Sequence, residues 1–183
     1  MPRTNKQTEK IIQEAVASFP VFATHLWHYL RLPSPTPVQY QLADYLQNGP
    51  DRRIIMAYRG CGKSFLTAGY VLWRLRRDPD CKVLVISAAQ DRADAFSVFC
   101  HDLLRNWFMV KDLFPSDTQR FSKVAFDVYG AKPDQSPSVR SSGIFGQITG
   151  SRADLIVADD VETPQSCETQ LIRDKLRESI KEF

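Results

Sequence analysis

Apolar positions along this chain fall into short blocks whose spacing switches between the helical and the strand period. Residues 6–31 are spaced as a helix, polar in the first half and aromatic in the second (FATHLWHYL), with an interruption expected at Pro20. Residues 32–37 (LPSPTP) read as a stiff extended connector and residues 38–46 as a short helix. The isoleucine-rich run 53–57 (RIIMA) predicts a buried strand, and 65–75 (FLTAGYVLWRL) predicts a helix covered by neighbours. Next come a second buried strand at 82–87 (KVLVIS), a long helix at 91–110 and a third, partly alternating strand at 123–129 (KVAFDVY). Residues 130–140 contain Pro133 and Pro137 and are expected to be irregular, with a short strand at 144–148. Four apolar residues, 155–158, then lead into Asp159 and Asp160, as a buried parallel strand does when it ends at the ligand-bearing edge of an open sheet. Strands separated by helical blocks define an α/β chain with a mostly parallel sheet flanked by helices.

The last block, 168–183, is amphipathic, with Leu171, Ile172, Leu176, Ile180 and Phe183 on or near one side and no glycine or proline stop. It is expected to expose an apolar stripe, as the amino-terminal piece of a longer chain would. The expected organisation is a helical segment and linker over residues 1–37 and a core domain, incomplete at its carboxyl end, over 38–183.

Composition narrows the class. A chain of 183 residues with 43% hydrophobic and 25% charged content can bury a core of its own. No stretch approaches the roughly 18 apolar residues of a membrane span. Cys61, Cys81, Cys100 and Cys167 form no C-x-x-C pair, so neither a zinc knuckle nor a disulfide framework is indicated and a reducing setting fits best. His25 and His28 lack a nearby carboxylate or thiol to complete a metal site. The net charge of +3 does not single out a nucleic-acid partner, because Arg74, Arg76 and Arg77 already suit the end of a helix through its dipole.

The chemistry is concentrated in AYRGCGKSF, residues 57–65, which departs from the phosphate-loop pattern G-x-x-x-x-G-K-[ST] only in having Ala57 at the first glycine. Gly60 and Gly62 permit backbone geometry that side-chained residues resist. Amides of the loop, from Gly60 through Cys61, Gly62 and Phe65, can then face the phosphates of ATP at a helix N-terminus, with Lys63 reaching the β- and γ-oxygens and Ser64 ligating Mg2+. Arg59 has no packing reason in the sequence and suits the γ-phosphate. Cys61 needs no chemical role, and if exposed there it would make turnover sensitive to thiol reagents. A second half of the site is expected at the acidic strand. Asp159 is the natural partner of Mg2+; strand alternation turns Asp160 the other way, towards the attacking water, with Glu162 on the same side two residues further out. The base is therefore Asp160 or Glu162. Arg140 and Arg152 flank turn-prone stretches (SSGIFG and TGSRAD) and are the candidates for an arginine supplied in trans.

Four segments in order carry a family resemblance: PTPVQYQLADYL (35–46), AYRGCGKSF (57–65), KVLVISAAQDRADAF (82–96) and PDQSPSVRSSGIFGQITGSRADLIVADDVETP (133–164). Over nearly its whole length the chain resembles the ATPase domain of the large terminase subunit of double-stranded DNA bacteriophages, and is most similar to the short-tailed group, where the subunit is also called DNA maturase B. The resemblance implies a P-loop NTPase of RecA-like, ASCE type, and a motor that drives duplex viral DNA into a procapsid through the portal protein. It also implies work with a small terminase subunit, a homo-oligomeric ring and a place in the host cytoplasm, transiently at the portal. Gln39 matches the family's adenine-contacting glutamine; Arg59, Lys63, Ser64 and Asp159 match its loop arginine, phosphate, magnesium and strand-end positions. Asp160 departs from the usual glutamate. The family's coupling segment and its nuclease carboxylates have no counterpart before Phe183, so endonuclease activity is expected only of a longer protein. A RecA-like helicase, and a non-catalytic nucleotide-binding assembly module, are the rival readings.

Overall fold

The computed structural model describes residues 5–146, 152–161 and 169–180. The aromatic amino-terminal block is two helices, α1 (Asn5–Ala17) and α2 (Phe19–Tyr29). Ser18 takes extended dihedrals between them, and Pro20 sits in the first turn of α2, where its missing N–H breaks no hydrogen bond. The connector leads to α3 (Pro37–Asn48), which Thr36 precedes as the N-cap residue. Helix α4 (Lys63–Arg77) begins inside the glycine loop, and Ala68, Tyr70, Leu72, Trp73 and Leu75 are buried along it. The Trp73 indole N–H donates to the Ala15 and Val16 carbonyls, both at 3.1 Å, so α4 satisfies the orphan carbonyls at the end of α1.

Strand β1 (Val83–Ser87) is fully buried, followed by α5 (Gln90–Asn106) and a single 3₁₀ turn at Lys111–Leu113. Strands β2 (Ala125–Phe126), β3 (Val139–Gly143) and β4 (Leu155–Asp159) follow, then helix α6 (Gln170–Ile180). Among the described residues the sheet is four-stranded and mixed, in the order β2-β3-β1-β4. Strand β1 runs parallel to β3 and β4, and β2 antiparallel to β3. Ser87 is level with Gly143 on one side and Asp159 on the other, so all three parallel strands finish at one edge.

Alternation divides the sheet between two layers. Val83, Val85 and Val139 join the main core with Phe19, Phe22, Leu26 and Trp27 of α2 and the buried face of α4. Leu84 and Ile86 face the other way, into a small second core with Ile144 and Leu176 of α6. The amphipathic stripe expected at 168–183 is thus partly used: Leu176 is 3% exposed, whereas Leu171 is 78% exposed. Ile180 and Phe183 lie outside the residues whose side chains are described.

Four expectations are corrected. Residues 53–57 form no strand and pair with none of the described strands, and Ile54 and Met56 are 82% and 91% exposed while Ile55 packs on the core. Period-two alternation is present there without a sheet neighbour to hydrogen-bond. The strand expected at 123–129 shrinks to two residues, because side chains take over the ladder: Val128 N donates to Ser138 Oγ at 3.2 Å and Ser138 N to Asp127 Oδ1 at 3.1 Å. The strand expected at 144–148 lies earlier, at Val139–Gly143, inside and beyond the stretch read as irregular; Ile144 and Phe145 form a turn, and 147–148 fall outside the described residues. Its serines are buried through hydrogen bonding, Ser141 with the Ser97 hydroxyl, while Gly143 N donates to Gln90 Oε1 at 3.1 Å. Finally, β4 is only half-buried, because it is the last strand of the sheet and Ile156 and Ala158 face away from the main core. Among the described residues no helix is long and apolar enough to cross a membrane.

Candidate functional site

The loop between the unpaired segment and α4 turns through two glycines at positive φ, Gly60 at 88° and Gly62 at 83°. A left-handed residue directly before α4 points the first amides of a 15-residue helix into the loop, where the helix dipole favours negative charge. Lys63 is the first residue of that helix. Its ammonium donates back to the Ala57 carbonyl at 2.7 Å and more weakly to the Tyr58 carbonyl at 3.4 Å, so it rests across the loop's own entrance. Ser64 and Arg59 are exposed, Ser64 on the first turn and Arg59 at the bend of the loop. Cys61 is 1% exposed, which corrects the expectation of easy thiol modification. The Phe65 ring packs edge-on to Trp27 and against Phe99, so this side chain serves packing.

Across from the loop, Asp159 closes β4 on the face that packs towards α4. Lys63, Asp159 and Asp160 line one cleft of about 220 Å³, which continues between β4 and the unpaired segment past Arg53 and Ile55. Burial pushes the Asp159 carboxyl above its ordinary range, and the neighbouring Asp160 charge pushes the same way; Lys63 and Arg92 oppose them. Asp160 does not continue the strand. It takes φ 46°, a left-handed conformation that aspartate tolerates better than most side chains, and its carboxylate lies 4.0 Å from the Arg92 guanidinium on α5. The alternation argument therefore stops at Asp159, and Glu162 lies outside the described residues.

Gln39 is fully engaged on one side. Its Oε1 accepts from Thr36 N at 2.7 Å and Thr36 Oγ1 at 3.1 Å, and its Nε2 donates to the Cys61 carbonyl at 3.0 Å. Arg140 and Arg152 are placed elsewhere. Arg140 is level with Leu84 on β1, and both arginines line a separate cavity of about 660 Å³ towards the strands' amino ends, away from Asp159. Sequence reasoning missed Trp27 and Arg92 as neighbours of the site. Nothing in the helical pattern marks either of them. The Thr36-x-x-Gln39 spacing of a capping box was readable, and it signals that this glutamine serves the start of α3.

A glycine loop running into a helix N-terminus, with its lysine in one cleft with a strand-end carboxylate, defines a P-loop-like α/β protein. No family model matches the chain. It is, however, 44% identical over 184 aligned positions to the terminase large subunit of Enterobacteria phage T3, an alignment that takes in 100% of this chain. The chain is therefore similar to a phage large terminase subunit, and it spans 31% of the length of the protein it matches.

Proposed function

We propose that this chain binds and hydrolyses ATP with Mg2+, and that it serves as the ATPase part of a large terminase subunit, powering movement of duplex viral DNA into a procapsid. The single observation that carries the reading is the convergence of Lys63 and Asp159 on one cleft beside the glycine loop. The 44% identity to a terminase large subunit along the whole chain supports the packaging role. The portal, the procapsid, a small terminase subunit and a ring of copies are the partners this role calls for.

The donor set fits the metal. A hydroxyl (Ser64) and a carboxylate (Asp159) suit an ion that takes most of its ligands from phosphate and water. When bound, Mg2+ neutralises charge on the phosphate oxygens. The loop amides bind the phosphates, Lys63 leaves the Ala57 carbonyl to pair with them, and Arg59 adds a second cation from the exposed bend. Asp160, or Glu162 beyond it, takes the proton of the attacking water. Release of Asp160 from Arg92 frees that carboxylate for the task. An ASCE-type sheet carries an additional strand; among the described residues β4 is the end of the sheet, and it lines one cleft with the unpaired segment 53–57, which suits that arrangement.

The test is nucleotide binding and turnover in the wild-type chain and two variants. Lys63→Ala is expected to lower turnover at least about a hundredfold, the scale on which removal of one transition-state charge partner acts. Ser64→Ala should weaken binding only when magnesium is present. Equal losses for Ser64→Ala with and without magnesium would contradict its metal role. Tight nucleotide binding without turnover would favour a non-catalytic module.

A further inference from the structure

The phosphate loop is gripped from outside by the amino-terminal helices. Gln39, on the first turn of α3, donates to the Cys61 carbonyl at 3.0 Å. Trp27 of α2, only 3% exposed, covers the next residue: a Cβ placed on Gly62 would meet its indole at 2.7 Å. The same indole packs edge-on against Phe65, whose ring centroid is 6.3 Å away. Two successive loop residues, Cys61 and Gly62, are thus held, one by a hydrogen bond and one by close contact, immediately before Lys63. A loop with two left-handed glycines has many other conformations within reach, so an external grip of this kind selects one of them.

We propose that Trp27 and Gln39 are positioning residues that hold Cys61 and Gly62 in the shape that receives a polyphosphate, which makes α2 and α3 part of the nucleotide site. This deepens the ATP reading above and rests on it. The chemistry of the amide supports positioning over base recognition. An amide oxygen has two lone pairs, and Thr36 N and Thr36 Oγ1 occupy both; one N–H is committed to Cys61. To meet an adenine edge as donor and acceptor together, Gln39 must first release the start of α3. The contact that remains for it lies on the loop, and it is indifferent to which base follows the phosphates.

The experiment measures binding of ATP and of inorganic tripolyphosphate, which has no base, by calorimetry with magnesium present. Gln39→Met removes the tether without adding charge. Trp27→Phe removes the contact on Gly62 while leaving an aromatic ring in the core. Both are expected to weaken both ligands by a common factor of about five- to tenfold, the scale of one hydrogen bond, with the melting temperature reporting separately on any loss of the α3 cap. Loss of ATP binding with tripolyphosphate binding intact would overturn the proposal and return Gln39 to reading the base. Unchanged binding of both ligands in Gln39→Met and Trp27→Phe would also overturn it. A wild-type chain that binds neither ligand would overturn the ATP reading itself, and the positioning role with it.

Discussion

At the scale of single residues, the candidate site is a place where the fold accepts a local cost. Asp159 sits half-buried next to a second carboxylate, and both effects favour its protonated form. A carboxyl whose folded pKa is raised above its ordinary value contributes stability below that ordinary value and loses it as pH rises through the folded pKa. At neutral pH the charged Asp159 therefore destabilises the nucleotide-free fold. Asp159→Asn is expected to raise the melting temperature at pH 7 by about one to three degrees, with the gain shrinking towards pH 4. Thermal melts of both forms across that range check it. A variant that melts lower at pH 7 would show that the carboxylate is held by contacts stronger than its desolvation. The residue that makes the site costly is also the one proposed above to meet a cation, as expected where function and stability compete.

At the scale of elements, α5 and β2 meet through His101, which is buried, stacks on Phe121 at 4.0 Å between ring centroids and lies edge-on to Phe126. Its Nε2 is buried without a hydrogen-bond partner. Burial, helped by Arg105, holds the imidazole below its ordinary value, against a smaller opposing pull from Asp102. The unfolded chain then takes up the proton first, so stability is lost as pH falls from about 6.5 through the folded pKa. Melting temperature should drop between pH 7 and 5, and His101→Phe should flatten that part of the profile. An equal drop in the variant would assign the pH dependence to other groups. The same element shows why a strand can hide from pattern reading. Strand β3 carries Arg140, Ser141, Ser142 and Gly143 and is nevertheless largely buried, because α5 supplies hydrogen-bond partners for Ser141 and for the glycine amide, and the Ser142 hydroxyl donates to the Gly143 carbonyl.

At the scale of the whole molecule, the two faces of the sheet are unequal. One carries the main core with α2, α4 and α5 and the other only the small core with Ile144 and Leu176 of α6, while Ile54, Met56 and Tyr58, at alternate positions of the unpaired stretch, and Ile156 on β4 are exposed. Apolar surface of this kind beside an unpaired strand edge favours self-association. Met56→Lys, at a side chain 91% exposed, is expected to reduce concentration-dependent light scattering with the melting temperature unchanged. Undiminished scattering would locate the association elsewhere. The arginine cluster behaves as composition suggested: Arg76 pairs with Asp112, Arg77 lies over the Trp73 ring at 4.6 Å and Arg74 donates to the Tyr70 hydroxyl at 3.4 Å. These positive charges are used within the molecule.

The sequence by itself determined whatever depends on a few consecutive residues. The covered helix α4, the buried strand β1, the break before Pro20 and the glycine loop running into Lys63 were all legible, because periodicity and backbone preference are local properties. The likeness of four ordered segments to large terminases was legible for the same reason, and the relative from phage T3 agrees with it. Tertiary structure alone decided the rest. Residues 53–57 have the alternation of a strand but no partner edge in contact, and pairing is a relation between segments that no local pattern encodes. Asp160 leaves the strand because the chain turns sharply at its end, so alternation could not say which way its carboxylate points. Gln39 and Trp27 reach the loop only because α2 and α3 fold back beside α4, across sequence separations that local physics does not see.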